Sequence, residues 1–80
     1  MTNDEARALM RSVLRSIAPE VDLDDVAQGE TIQEALELDS FDFLQFVTGL
    51  AEVTGREMPE RDYPKLSTVE GCVEYLTQAQ

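Results

Sequence analysis

Apolar residues recur at intervals of three and four along most of this chain, which is the spacing of one face of an α-helix. Thr2 and Glu5 have the spacing of a capping box, and Pro19 cannot continue a helix. The sequence therefore predicts a first helix over residues 4–17. Its apolar stripe consists of Met10, Val13, Leu14 and Ile17.

An acidic connection follows over residues 20–39. Thr31 and Glu34 form a second possible capping box, so a short helical turn is predicted over residues 32–36. The cluster of Asp22, Asp24 and Asp25 lacks the ligand register of a calcium-binding loop, which favours a solvated loop. The apolar residues expected to anchor the connection are Leu23, Val26, Ile32, Leu36 and Leu38.

The most apolar segment covers residues 40–54 and predicts the second long helix. Gly55 is expected to end it, because glycine tolerates a positive φ. Phe41 and Leu44 lie to one side of the apolar face. The residues predicted to point inward are Phe43, Phe46, Val47, Leu50 and Val53.

A final helix is predicted to open at the capping-box sequence Ser67-Thr68-Val69-Glu70. Its apolar stripe consists of Val69, Cys72, Val73 and Leu76. Pro59 and Pro64 limit the segment between the second long helix and the final helix to a short helical turn. No segment alternates apolar and polar residues as a strand would. The expected fold is all-α, a small irregular four-helix bundle with three main helices and a short third helix.

The charge of the chain narrows the classes of partner. Seventeen acidic residues against six basic ones give a formal net charge of -11, which repels nucleic acid and anionic membranes. The same charge favours encounter with proteins that display basic patches. At 80 residues we expect one domain covering residues 1–80, and the hydrophobic fraction of 42% is that of a folded chain.

The sequence also predicts where the protein works. Cys72 stands alone, so no intramolecular disulfide can form, which suits a reducing compartment. The acidic start of the chain does not have the charge or the apolar region of a secretory signal. No run of about 18 apolar residues is present to span a membrane. We expect a cytoplasmic protein.

Catalysis is disfavoured by the residues available. There is no histidine, which removes the commonest general base and the commonest neutral metal ligand. Cys72 lies in an apolar stripe and is expected to be a core residue. A chain of this length also has little room to enclose a substrate pocket. We therefore expect neither an enzyme nor a metal site.

The junction around Ser40 is the candidate site. There an acidic loop delivers a serine to the start of an apolar helix, where the first backbone N–H groups have no intrahelical partners. A phosphate ester on the hydroxyl of Ser40 would lie beside those donors. Asp39 can cap the N–H of Asp42 or of a neighbour. Taken alone, the Asp39-Ser40 pair is also a common helix cap.

The segment Asp39-Ser40-Phe41-Asp42, followed by an apolar helix, resembles the Asp-Ser-Leu motif of acyl carrier proteins. The resemblance extends over nearly the whole chain, with the serine about halfway along it. Glu57-Met58-Pro59 matches the acidic, aliphatic and proline positions that precede the family's short third helix. Ser67-Thr68-Val69 matches the opening of its last helix.

This resemblance implies a monomeric carrier that holds acyl or aminoacyl cargo as a thioester on a 4'-phosphopantetheine arm. A phosphopantetheinyl transferase would attach the arm from coenzyme A to Ser40, with Asp39 as cap and recognition residue. A loading ligase and downstream synthases or transferases would be the other partners. The surface that they would contact consists of Phe41, Asp42, Leu44, Gln45, Thr48 and Glu52.

Some positions depart from the family pattern. Glu37 stands where the family usually has glycine, and Phe41 replaces the usual leucine or methionine. Gln45 stands where an acidic residue is common. Phe43 occupies a position that is small in fatty-acid carriers, and with Phe46 it can fill the space for an acyl chain, which favours small or unsequestered cargo.

Two other readings remain open at this stage. The chain could be an unmodified, carrier-like module that binds partners through its acidic second helix. It could also be a small hydrolase with Ser40 as nucleophile, although the sequence offers no base to activate that serine.

Overall fold

The computed structural model describes residues 1–78, and within them the chain is helical. The α-helices are α1 (Asn3–Ile17), α2 (Ile32–Ala35), α3 (Ser40–Thr54) and α4 (Val69–Thr77). Two 3-10 helices span Leu23–Asp25 and Glu60–Leu66. These residues form no strand; Thr31 and Thr68 make an isolated antiparallel bridge. The all-α bundle is confirmed, with α1, α3 and α4 as its three main helices and the second 3-10 helix as the short third helix.

The core lies between α1, α3 and α4, and every apolar residue predicted in the helical stripes contributes to it except Val53, which is exposed. Ile17 is half-buried at the end of α1 and packs against the core. Gly49 allows α1 to pack closely, because a Cβ there would lie 2.7 Å from Cγ1 of Val13. The largest fully buried side chains are Phe46, Met10, Leu14, Ile32, Leu50, Leu66, Val47 and Cys72.

The inward placement of Val53 was wrong. Its side chain is 66% exposed, whereas Leu50 is fully buried. Three residues turn a helix by about 300°, so Val53 lies about 60° around α3 from Leu50. It therefore stands at the edge of the apolar face, and the core that buries Leu50 does not reach it.

The helix starts are capped largely as predicted. Thr2 and Glu5 form the full capping box: Glu5 N–H donates to Thr2 Oγ1 at 3.1 Å, and Thr2 N–H donates to Glu5 Oε1 at 2.8 Å. The hydrogen bonds from the backbone and then the side chain of Thr2 lower the pKa of Glu5. Thr31 Oγ1 accepts from the N–H of Glu34 at 3.2 Å, so α2 has one half of its predicted box.

The cap of α4 is one residue later than predicted. Thr68, not Ser67, is the N-cap, and its Oγ1 accepts from the N–H of Gly71 at 3.0 Å. Ser67 still has helical dihedral angles and donates its hydroxyl to Pro64 O at 2.8 Å. Helical backbone continues through Ser67 from the preceding 3-10 helix, so the chain first becomes extended at Thr68. A Cβ on Gly71 would lie 2.4 Å from Lys65 O, so this turn requires glycine.

The 3-10 helix Glu60–Leu66 is longer than the short turn predicted from its prolines, and it contains Pro64. Tyr75 of α4 bonds to this 3-10 helix, and Arg56 in turn contacts Tyr75. Tyr75 Oη donates to Asp62 Oδ2 at 2.9 Å, and Arg56 donates to Tyr75 O at 2.9 Å while its guanidinium lies 4.9 Å from the ring centroid. Burial, followed by the hydrogen bond to Asp62, raises the pKa of Tyr75. Tyr75 is buried, although it lies outside the predicted stripe.

The acidic connection is more ordered than a solvated loop. Leu23, Ile32 and Leu38 are buried anchors, as predicted. Asp22 Oδ1 accepts from the N–H of Asp24 at 2.9 Å, and Arg11 Nη2 donates to Asp24 Oδ1 at 3.0 Å. The aspartates therefore shape a 3-10 turn against α1. Among residues 1–78, no three acidic or sulfur side chains are grouped as a metal site requires.

Candidate functional site

The link between α2 and α3 is short and hydrogen-bonded at both ends. Leu38 N–H donates to Gln33 O at 2.8 Å, and Glu37 N–H donates to Glu34 O at 3.3 Å. These two bonds form a Schellman motif, in which Glu37 occupies the position that usually holds glycine. Glu37 adopts φ 54°, the one positive φ of a non-glycine residue in the described chain. Leu38 then turns inward and is buried.

Asp39 begins α3. Its backbone is extended, and its Oδ1 accepts from the N–H of Asp42 at 2.8 Å, the bond that the sequence predicted. Ser40 is the first residue of α3 and is exposed. The buried Leu38 before it and the capped turn after it fix the direction in which the helix starts. The serine hydroxyl is accordingly accessible from outside the bundle.

Loss of the Asp39 cap should destabilise the protein. We expect Asp39→Ala to lower the free energy of unfolding by about 1 kcal/mol, because an N-cap to alanine change leaves a helix N–H without its partner. Asp39→Asn should remain close to wild type, since asparagine caps equally well. Urea unfolding followed by circular dichroism measures both. If both variants had the same free energy of unfolding as the wild type, the cap would contribute nothing to stability.

A groove of about 400 Å³ adjoins Ser40. Its aromatic wall is closed towards the core: Phe43 packs on Phe46 with ring centroids 6.2 Å apart, and edge-on against Tyr63 at 6.1 Å. Tyr63 was not anticipated, because it comes from the second 3-10 helix and sequence spacing does not reveal that contact. The residues lining the groove are Gln33, Ser40, Phe43, Leu44, Glu60 and Tyr63.

The predicted partner surface lies on the exposed side of α3. Phe41 is 65% exposed and Leu44 is 43% exposed. Five of the six predicted residues line one shallow groove between α1 and α3, and Asp42 is half-buried outside that lining. Ser16 and Ile17 of α1 and Gly49 of α3 complete the groove and were not anticipated. The five predicted residues in the lining are Phe41, Leu44, Gln45, Thr48 and Glu52.

The other potential nucleophile, Cys72, is not part of this site. Its side chain is fully buried in α4, and burial raises the pKa of the thiol to about 12. The reactive thiolate is therefore suppressed at neutral pH. The described helices also contain no segment with the length and apolar character needed to cross a membrane.

The fold and the site together define a class: small, acidic helical proteins that present a serine hydroxyl at the start of a helix. The acyl carrier protein of Lactobacillus johnsonii is 37% identical to this chain over 60 residues, 75% of each chain. That of Rubrobacter xylanophilus is 35% identical over 60 residues, 75% of this chain and 74% of its own. That of Lactobacillus acidophilus is 31% identical over 61 residues, 76% of each. The chain belongs to the acyl carrier protein family. No family model matches it, and no solved structure matches it significantly.

Proposed function

We propose that this protein carries acyl or aminoacyl cargo as a thioester on a 4'-phosphopantetheine arm attached to Ser40. The observation that supports this most directly is the exposed serine at the first position of α3. In the attachment step, the hydroxyl oxygen of Ser40 forms a phosphodiester with the pantetheine phosphate of coenzyme A. Adenosine 3',5'-bisphosphate leaves, and the proton of the Ser40 hydroxyl passes to a base of the phosphopantetheinyl transferase. The arm's terminal thiol then holds the cargo.

The helix start suits a phosphodiester for an electrostatic reason. The first backbone N–H groups of α3 and the positive end of its macrodipole favour a negative group at this position. A carboxylate oxygen of Asp39 accepts a hydrogen bond from the N–H of Asp42, which keeps the first turn of α3 in place. We propose that Asp39 also contributes to recognition by the transferase.

The cargo that fits best is small or lies outside the core. Phe43 fills the space between Phe46 and Tyr63, and packed interiors leave little room for a further chain. A loading ligase would add the acyl or aminoacyl group, and synthases or transferases would remove it. The protein itself would act as a carrier and not as an enzyme.

Partners would dock on the exposed side of α3. The apolar part consists of Phe41 and Leu44, with Gln45 and Thr48 beside them, and Glu52 and Asp42 provide acidic groups. Such contacts should be transient and weakened by salt, because exposed charges are screened over about 10 Å at 0.1 M salt. We propose a monomer that works in the cytoplasm, with residues 1–80 forming one carrier domain.

The test is the intact mass of the protein after incubation with coenzyme A, Mg²⁺ and a broad-specificity phosphopantetheinyl transferase. We expect the mass to rise by one phosphopantetheine group, and no rise when coenzyme A is omitted. A wild-type protein that keeps its mass while an established carrier in the same reaction is modified would overturn the proposal. That result would favour the unmodified interaction module.

A further inference from the structure

Glu37 has an energetically unfavourable backbone conformation directly before the attachment site. Its φ of 54° lies in the left-handed region, where a side chain costs free energy that glycine does not. The position is C-terminal to α2 in a Schellman motif, for which glycine is the usual residue. Nothing in the packing requires a side chain here, because Glu37 is exposed.

The carboxylate of Glu37 has no internal role in the described part of the chain. Among residues 1–78 it forms neither an ion pair nor a hydrogen bond, and only the backbone N–H of Glu37 is bonded. Strained residues of this kind persist where they serve a function, and an exposed carboxylate can serve one only towards another molecule.

Glu37 lies close in sequence to the attachment serine, in a turn whose backbone is held in place. Leu38 is buried on one side of Asp39, and the Asp39 cap holds Ser40 on the other, so Glu37 lies at a fixed place three residues before the hydroxyl. An enzyme that reaches Ser40 must approach this turn. We propose that Glu37 is a specificity-determining residue whose carboxylate pairs with a basic side chain of the enzyme that modifies Ser40. This inference rests on the proposed function.

The experiment separates the charge of Glu37 from its backbone strain. Glu37→Gln keeps the side chain and the left-handed strain but removes the charge, whereas Glu37→Gly removes both. Glu74→Gln, on the exposed face of α4, makes the same change in net charge away from Ser40. The rate of phosphopantetheine transfer is measured as kcat/KM with the purified transferase at low salt and at 0.5 M NaCl, alongside the thermal midpoint of each protein.

At low salt we expect Glu37→Gln and Glu37→Gly to lower kcat/KM by roughly two- to five-fold, the effect of losing one exposed ion pair, while Glu74→Gln leaves it unchanged. At 0.5 M NaCl the difference should disappear, because the charges are screened. The thermal midpoint should rise by roughly 4 °C in Glu37→Gly and by less than roughly 1 °C in Glu37→Gln.

Two results would overturn the inference. If Glu37→Gln is modified as fast as wild type, the transferase does not recognise the carboxylate of Glu37. If Glu37→Gly is no more stable than wild type, the strain argument fails. Both results leave wild-type modification of Ser40 intact, so they are distinguishable from failure of the proposed function, in which the wild-type protein gains no arm.

Discussion

Ser40→Ala should abolish attachment of the phosphopantetheine arm completely while leaving the fold unchanged. The substitution removes the hydroxyl oxygen that we propose forms the phosphodiester. Ser40 is exposed at the start of α3, and the helix is capped by Asp39 and not by Ser40. The free energy of unfolding should therefore stay within ~0.5 kcal/mol of wild type, as for other surface substitutions. Intact mass after the transferase reaction gives the result.

Thiol titration provides an independent readout of the same change. Cys72 is fully buried and its pKa is raised to about 12, so the native unmodified protein should show no fast-reacting thiol. The modified wild type should show one, contributed by the arm, and Ser40→Ala should show none. Burial favours the protonated thiol of Cys72, so the folded state gains stability from this group at every pH below the pKa of the thiol in the unfolded chain. That stability is lost as the pH rises through about 12, the pKa of Cys72 in the folded protein.

Ser12→Ala is the matched control, because Ser12 is an exposed serine on α1. It should gain the arm as the wild type does. Attachment to Ser40→Ala, or loss of attachment in Ser12→Ala, would place the modified hydroxyl elsewhere and contradict the site assignment.

Phe46→Ala should destabilise the protein more than any other single truncation on α3. Phe46 is the largest fully buried side chain in the described chain and packs on Phe43 at 6.2 Å. Truncating a buried phenylalanine removes transfer free energy and leaves a cavity, at a cost of about 3–5 kcal/mol. A small domain has only about 5 kcal/mol or a little more to lose. A large fraction of the variant should therefore be unfolded at 37 °C, as measured by urea titration and circular dichroism.

Phe41→Ala makes the same phenylalanine-to-alanine change on the outward face of α3. Phe41 is 65% exposed, so its loss should change the free energy of unfolding by less than ~0.5 kcal/mol. Equal destabilisation by the two substitutions would mean that the inward and outward faces of α3 have been misassigned.

The candidate site was predictable to the extent that it depends on neighbours in sequence. The Asp39 cap, the helix start at Ser40 and the exposure of Phe41 and Leu44 follow from local rules of capping and helical periodicity. The groove beside Ser40 was not predictable, because Tyr63 reaches it from a 3-10 helix that residues 55–59 separate from α3. Glu37 could be singled out as an unusual residue, but its positive φ became visible only in the backbone.

The sequence by itself determined the class of fold and the place of each main helix, since the stripes of apolar residues repeat at the helical period and the capping residues mark most of the helix starts. The tertiary structure decided how far the core extends, which side chain caps the last helix and where the prolines permit a 3-10 helix. It buried Tyr75 and left Val53 exposed, and it moved the α4 cap from Ser67 to Thr68. The physical reason is that periodicity describes one helix at a time, whereas burial at the edge of a face depends on which neighbouring element packs there.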